Sequence, residues 1–176
     1  MSSAILLIGP RGVGKTTVGR LLASSLNLAF IDLDDTALAL TGSNSIQGVF
    51  ETAGEAAWRQ AEAAALESSL AGGDVVIATG GGVACVDPAM HVLHAARVAK
   101  QAITVWLRCS DAVLRDRLAA NIGDRPSLTG RDPIEEAADV AASRLERYAA
   151  AADIEIQADG LAEVVAADIA NRLLRS

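Results

Sequence analysis

Gly9-Pro10-Arg11-Gly12-Val13-Gly14-Lys15-Thr16 sets a lysine and a hydroxyl at the end of a glycine-rich stretch, with the spacing G-x-x-x-x-G-K-[ST]. A loop of this kind turns backbone N–H groups inward as an anion nest, and the positive end of a following helix reinforces it. The lysine then reaches terminal phosphates and the hydroxyl ligates Mg2+. The chemistry indicated is nucleoside triphosphate binding, with Gly12, Val13, Gly14, Lys15, Thr16 and Thr17 as the contacts. A tight turn that needs glycine beside an exposed lysine would use similar letters. The apolar run before the motif and the helical spacing after it argue against that plainer reading.

A second group of residues could serve a phosphoryl acceptor. The run Phe30-Ile31-Asp32-Leu33-Asp34-Asp35 brings Asp32 and Asp34 to one side of a strand end, where open α/β sheets bind ligands. Carboxylates this close repel unless a cation or a hydroxyl donor lies between them, and Mg2+ with an alcohol would supply both. Asp35, just ahead of Thr36 and a helical run, reads as a helix cap. Glu55, Arg59 and Glu62 are spaced at i, i+4 and i, i+3, so by spacing alone they form a surface ion-pair ladder. Thr79-Gly80-Gly81-Gly82-Val83 follows another apolar run, and three glycines there are costly unless something approaches the backbone closely. Asn121 to Asp132, rich in glycine and charge, fits neither strand nor helix and reads as an active-site lid.

These residues need a scaffold, and the chain's patterning supplies one. Apolar runs at Ala4–Gly9, Ala29–Leu33, Asp74–Ala78, Ala102–Leu107 and Asp153–Ile156 read as strands buried on both faces. Helices are expected near 15–26, 35–41, 46–53, 55–71, 88–98, 111–120, 133–150 and 161–174. The alternation predicts a three-layer α/β/α sandwich with a five-stranded parallel sheet, of P-loop NTPase type, filling residues 1–176 as one domain.

Composition excludes several function classes. A net charge of −7 and only five aromatic residues, Phe30, Phe50, Trp58, Trp106 and Tyr148, argue against nucleic-acid binding, which needs a basic face or stacking rings. No apolar run is long enough to span a membrane. The N-terminal run is too short for an export signal, so a cytoplasmic location is expected. An acidic surface without a long apolar stripe points to a monomer. Cys85 and Cys109 lack metal or redox spacing and read as buried, reduced thiols.

Taken in order, GPRGVGKT, FIDLDD, SIQGVFETAGEAAWRQAE, ATGGG, DRPSLTG and Arg144-Leu145-Glu146-Arg147-Tyr148 resemble the shikimate kinase family, within the nucleoside-monophosphate-kinase-like P-loop phosphotransferases. The resemblance implies ATP-dependent phosphorylation of the 3-hydroxyl of shikimate, in aromatic amino-acid biosynthesis, with Mg2+ as cofactor. It implies that Asp34 meets a ring hydroxyl and takes its proton, and that Thr16 and Asp32 hold Mg2+. Arg59 and Arg144 would clamp the shikimate carboxylate, with Glu62 beside Arg59 and with Gly80, Gly81 and Gly82 bordering the pocket. Arg125, in the lid at 121–132, would reach over the phosphates and act with Lys15 and Asp34 in catalysis, while Arg117 would stack on adenine. The helical segment at 35–62 would bind the acceptor.

Three departures from the family pattern stand out, the first in the lid, which reads Arg125-Pro126-Ser127-Leu128 where leucine often follows the proline, so that its packing and closure differ. Trp58 occupies a position where phenylalanine is common, and Gln47 and Gly48 interrupt a helical stretch, which predicts a mobile break there. Two rival functions share the motif set: a gluconate-type sugar-acid kinase, and a non-catalytic ATP-binding regulatory protein. The second has no use for a small-carboxylate clamp.

Overall fold

The computed structural model describes residues 3–120 and 132–175. Strands β1 (Ala4–Ile8), β2 (Ala29–Asp32), β3 (Val75–Ala78), β4 (Ala102–Arg108) and β5 (Ile154–Gln157) form one sheet in the order β2-β3-β1-β4-β5. Every neighbouring pair is parallel. Helices α1 (Lys15–Leu26), α2 (Leu33–Thr41), α3 (Ile46–Thr52), α4 (Gly54–Leu70), α5 (Ala89–Val98), α6 (Asp111–Ala120), α7 (Pro133–Ser143), α8 (Leu145–Ala151) and α9 (Ala162–Leu173) cover it.

β1 is central, and its alternating side chains divide the core between the two faces of the sheet. Ile5 and Leu7 pack with Val18 and Leu22 of α1 and Val165 and Ile169 of α9. Leu6 and Ile8 pack with Leu33, Trp58, Leu66 and Leu93 on the other face. Each such side chain, fully buried, contributes about 2 kcal/mol of transfer free energy, which is why the three layers hold together. β1 and β3 are buried throughout, as their unbroken apolar runs predict. The edge strands β2 and β5 are only partly covered, so the expectation of burial on both faces fails for them. An edge strand has one neighbour, and flanking helices shield less of it.

Three other sequence expectations are corrected. The helix predicted at 35–41 starts at Leu33, and its cap is Asp32 rather than Asp35: the Asp32 carboxylate accepts from the Asp34 N–H at 3.1 Å. The run through Gln47 and Gly48 is a continuous helix, because Ser45 caps it by accepting from the Gly48 N–H at 3.0 Å. The helix predicted at 133–150 is two, broken at Arg144, whose N–H bonds back to the Ala141 carbonyl at 3.2 Å in a tightened last turn. No glycine or proline marks that break.

Asp132 caps α7 by accepting from the N–H groups of Ile134 and Glu135, with Pro133 opening the helix. The rest of the predicted lid, Arg125 included, lies outside the described residues. Cys85 is buried and Cys109 half-buried; neither is in a disulfide, and burial pushes both thiols up from their ordinary range. No helix among the described residues is long and apolar enough to cross a membrane.

Candidate active site

The loops that carry chemistry leave the carboxyl ends of β1, β2 and β3, three contiguous strands, so they meet at one edge of the sheet. A cleft of about 580 Å³ lies there. Gly12, Gly14, Lys15, Thr16 and Thr17 line it from the first loop, Asp32, Asp34 and Asp35 from the second, and Thr79 and Gly81 from the third. Arg117, on α6, closes one side.

The glycine-rich loop is held in shape by close packing. Gly9 has φ +138°, and a Cβ there would stand 2.5 Å from the Leu107 carbonyl oxygen, so the first turn of the loop admits only glycine. Lys15 is 9% exposed, and its ammonium donates to the carbonyls of Gly9 (2.8 Å) and Pro10 (2.7 Å). The loop thus places its own cation against its own backbone, under the positive end of α1. Val13, expected among the contacts, turns its side chain into the core and is not among the cleft-lining residues; its carbonyl accepts from Arg117 Nη1 at 2.9 Å. Arg117 Nη2 also reaches the carbonyls of Asp159 (3.4 Å) and Gly160 (3.3 Å), which ties α6 to the phosphate loop and to the turn after β5.

Asp32 and Asp34 enter the cleft differently from what strand alternation predicts. Asp32 ends β2, while Asp34 stands in the first turn of α2, and the helix start rather than the strand pleat brings both to the cleft. The Thr16 hydroxyl donates to Asp32 Oδ2 at 2.8 Å. Burial raises the Asp32 carboxyl above its ordinary range; the Thr16 bond opposes this, and the Asp34 and Asp35 charges add to it. Thr16 and Asp32 fit a hard divalent cation: they offer adjacent oxygens in a locally negative site. Among the described residues no group of three or more His, Cys, Asp and Glu side chains is arranged for a metal. A cation here would complete its shell with phosphate and water oxygens, as Mg2+ characteristically does.

Behind the third loop lies a buried charge cluster. Arg59 is 8% exposed and Glu62 is 0% exposed, so the predicted surface ladder is internal at these two residues, while Glu55 stays exposed. Arg59 Nη1 donates to Glu62 at 2.7 Å, while Nε and Nη2 donate to Glu55 at 3.1 and 2.7 Å. Burial alone would lower the Arg59 pKa, but Glu62 and Glu55 outweigh it and keep the guanidinium charged. Three of the five N–H donors of an arginine are thereby engaged, which leaves two for a further planar anion. The glycine turn explains how so large a group fits: a Cβ on Gly82 would stand 2.5 Å from Arg59 Nη1.

Arg144 reaches the same turn at the adjoining residue. Its Nη1 donates to the Gly81 carbonyl at 3.1 Å, and the break between α7 and α8 aims it there. Arg59 and Arg144 therefore bear on adjacent residues of one glycine turn, and Gly81 itself lines the cleft. Sequence reasoning assigned no role to Arg11, Ile46 or Thr79, which also line it. Arg11 was legible as the cation inside the loop motif, and Thr79 as the residue leading into the three glycines.

The model of the family described as shikimate kinase matches residues 11–174. The shikimate kinase of Stenotrophomonas maltophilia strain K279a is 39% identical over a stretch covering 88% of this chain and 82% of that protein. Shikimate kinase 2 of Escherichia fergusonii is 38% identical, over 90% of this chain and 84% of its own. In three dimensions, the shikimate kinase from Acinetobacter baumannii solved in complex with shikimate superposes with a TM-score of 0.87 at 31% identity, covering 99% of this chain and 94% of that one. With the match spanning strand, loop and cleft alike, the chain belongs to the shikimate kinase family.

Proposed function

We propose that this protein transfers the γ-phosphoryl group of ATP to the 3-hydroxyl of shikimate, giving shikimate 3-phosphate and ADP, as a cytoplasmic monomer in aromatic amino-acid biosynthesis. The observation that carries the reading is the pair Arg59 and Arg144 on the Gly81–Gly82 turn, at the edge of the cleft that holds Lys15. A phosphate loop alone fits any nucleotide-dependent protein; two guanidinium groups beside it fit a small acid with a planar carboxylate.

The mechanism follows from the parts. Phosphoryl transfer through a loose transition state asks mainly for in-line positioning and charge neutralisation. Backbone N–H groups of Gly12, Val13 and Gly14, with Thr17, hold the phosphates, and Lys15 neutralises the terminal ones. Thr16 and Asp32 would hold Mg2+, which would supply charge neutralisation for the phosphates. Arg117 faces the base. Arg59, kept in place by Glu62, binds the acceptor carboxylate together with Arg144, and Gly80, Gly81 and Gly82 let the ring approach. Asp34 accepts the proton of the attacking hydroxyl as the new O–P bond forms and the bond to the ADP oxygen breaks. Arg125, through the family resemblance, adds positive charge over the phosphates from the segment at 121–132.

The test is ADP release with shikimate, quinate and gluconate side by side, at saturating ATP and Mg2+. Turnover with shikimate well above the other two is expected. Preference for gluconate, or ATP binding without turnover on any of the three, would overturn the reading.

A further inference from the structure

Tyr148 lies outside the roles given above, yet its hydroxyl makes the shortest contact to the glycine turn. It donates to the Gly81 carbonyl at 2.6 Å, shorter than the 3.1 Å bond from Arg144 to the same oxygen. The ring is 1% exposed and stacks on Trp106 of β4, with centroids 6.0 Å apart. Burial holds the phenol well above its ordinary range, so it stays a donor throughout the range in which the enzyme works. The Tyr148 N–H donates to the Arg144 carbonyl one helical turn back, at 3.0 Å. Arg144 and Tyr148 are thus joined at the backbone and meet again, through their side chains, on one carbonyl oxygen.

A peptide carbonyl has two lone pairs, and here both are taken. The tyrosine fixes the direction of that carbonyl from the rigid side, since its ring is clamped between the sheet and the helix. The peptide it fixes joins Gly81 to Gly82, and Gly82 is the residue that abuts Arg59. One hydroxyl therefore sets the orientation of a peptide with an arginine at each end. We propose that Tyr148 is a positioning residue for the acceptor: by anchoring the Gly81 carbonyl to the sheet, it fixes Arg144 and Arg59 in register for a single carboxylate. Without the hydroxyl, the carbonyl is free to turn toward Arg144, drawing that guanidinium out of line with its partner.

The inference rests on the shikimate kinase reading, and the test separates the two. Tyr148→Phe keeps the ring stack and removes only the donor. Its expected effect is a rise of about tenfold in the KM for shikimate, with kcat and the ATP KM within about twofold of wild type. A merely structural role would lower the melting temperature or depress both substrates' constants together. Tyr148 is also the only tyrosine of the chain, so 3-fluorotyrosine labelling of the wild-type sequence gives one 19F resonance that needs no substitution to read. That resonance is expected to move on saturation with shikimate and to stay in place with ADP. An unchanged shikimate KM in Tyr148→Phe, or a resonance indifferent to shikimate, overturns the role of the tyrosine. Wild-type protein that releases no ADP with shikimate overturns the functional reading, and this inference with it.

Discussion

The Thr16 hydroxyl donates to Asp32 Oδ2 at 2.8 Å, joining the end of the phosphate motif after β1 to the end of β2, across the intervening β3. Asp32 spends its other oxygen on the Asp34 N–H, at 3.1 Å. One carboxylate thus caps a helix and presents an oxygen to the proposed Mg2+ position. It does so at an electrostatic disadvantage, because burial and two further acids in the same turn favour its neutral form.

That disadvantage has a sign that can be measured. The folded Asp32 carboxyl holds its proton to higher pH than the unfolded one, whose ordinary value is 3.8. Stability therefore falls as pH rises from that value through the raised one, and at neutral pH the whole penalty is present. Asn is an equally good cap. Asp32→Asn should melt at higher temperature than wild type at neutral pH, with the advantage vanishing in acid. The same variant should lose about 10- to 100-fold in activity, partly recovered by excess Mg2+. Thermal unfolding across pH, with an Mg2+ titration of turnover, checks both; a lower melting temperature at neutral pH would refute the argument.

Glu62 and Glu55 hold the same guanidinium from very different surroundings. The Glu62 side chain is 0% exposed and that of Glu55 is 48% exposed. Removing one partner of a buried pair costs about 3 kcal/mol, because a charge is left buried without compensation. An exposed partner is worth less than about 1 kcal/mol. Glu62→Ala should therefore destabilise far more than Glu55→Ala in urea unfolding, and equal losses would mean that the two pairs share one environment.

Gly82→Ala isolates function from folding. The atoms nearest the added methyl are those at the far end of the Arg59 side chain, with Nη1 at 2.5 Å. The guanidinium ends a flexible side chain, so it yields by a small shift that keeps its bonds to Glu62 and Glu55 and takes it from the proposed carboxylate site. A rise of about tenfold or more in the shikimate KM is expected, with the melting temperature nearly unchanged and the ATP KM steady. An unchanged shikimate KM would place Arg59 outside acceptor binding.

The sheet was legible because five short apolar-rich runs alternate with alanine-rich helices, even though the edge strands β2 and β5 are only partly covered. The phosphate loop was legible for a different reason: its chemistry forces a fixed spacing of glycine, lysine and hydroxyl. What escaped were features set by tertiary contact. The break at Arg144 has no local signal, since its purpose is to aim a side chain at Gly81, 63 residues away. The spacing of Glu55, Arg59 and Glu62 is the same on a surface as in a core, so only packing under the glycine turn distinguishes the two. Asp32 as cap was hidden by Asp34 and Asp35, which are equally good capping types two and three residues on.

The paired arginines give the last and most direct prediction, because they differ in what else they do. Arg59 makes three bonds to two glutamates, whereas the side-chain bond of Arg144 among the described residues goes to one carbonyl. Lysine at either position keeps the charge and loses the planar fork, so a bidentate carboxylate contact worth about 1.5–3 kcal/mol is weakened in both. Arg59→Lys and Arg144→Lys should each raise the shikimate KM by about 10- to 100-fold while moving the ATP KM by less than about twofold. They should part on stability: Arg59→Lys leaves buried Glu62 poorly paired and lowers the melting temperature, while Arg144→Lys leaves the Tyr148 anchor in place and does not. If the ATP KM rose as much as that for shikimate, the guanidinium pair would serve the phosphates rather than the acid.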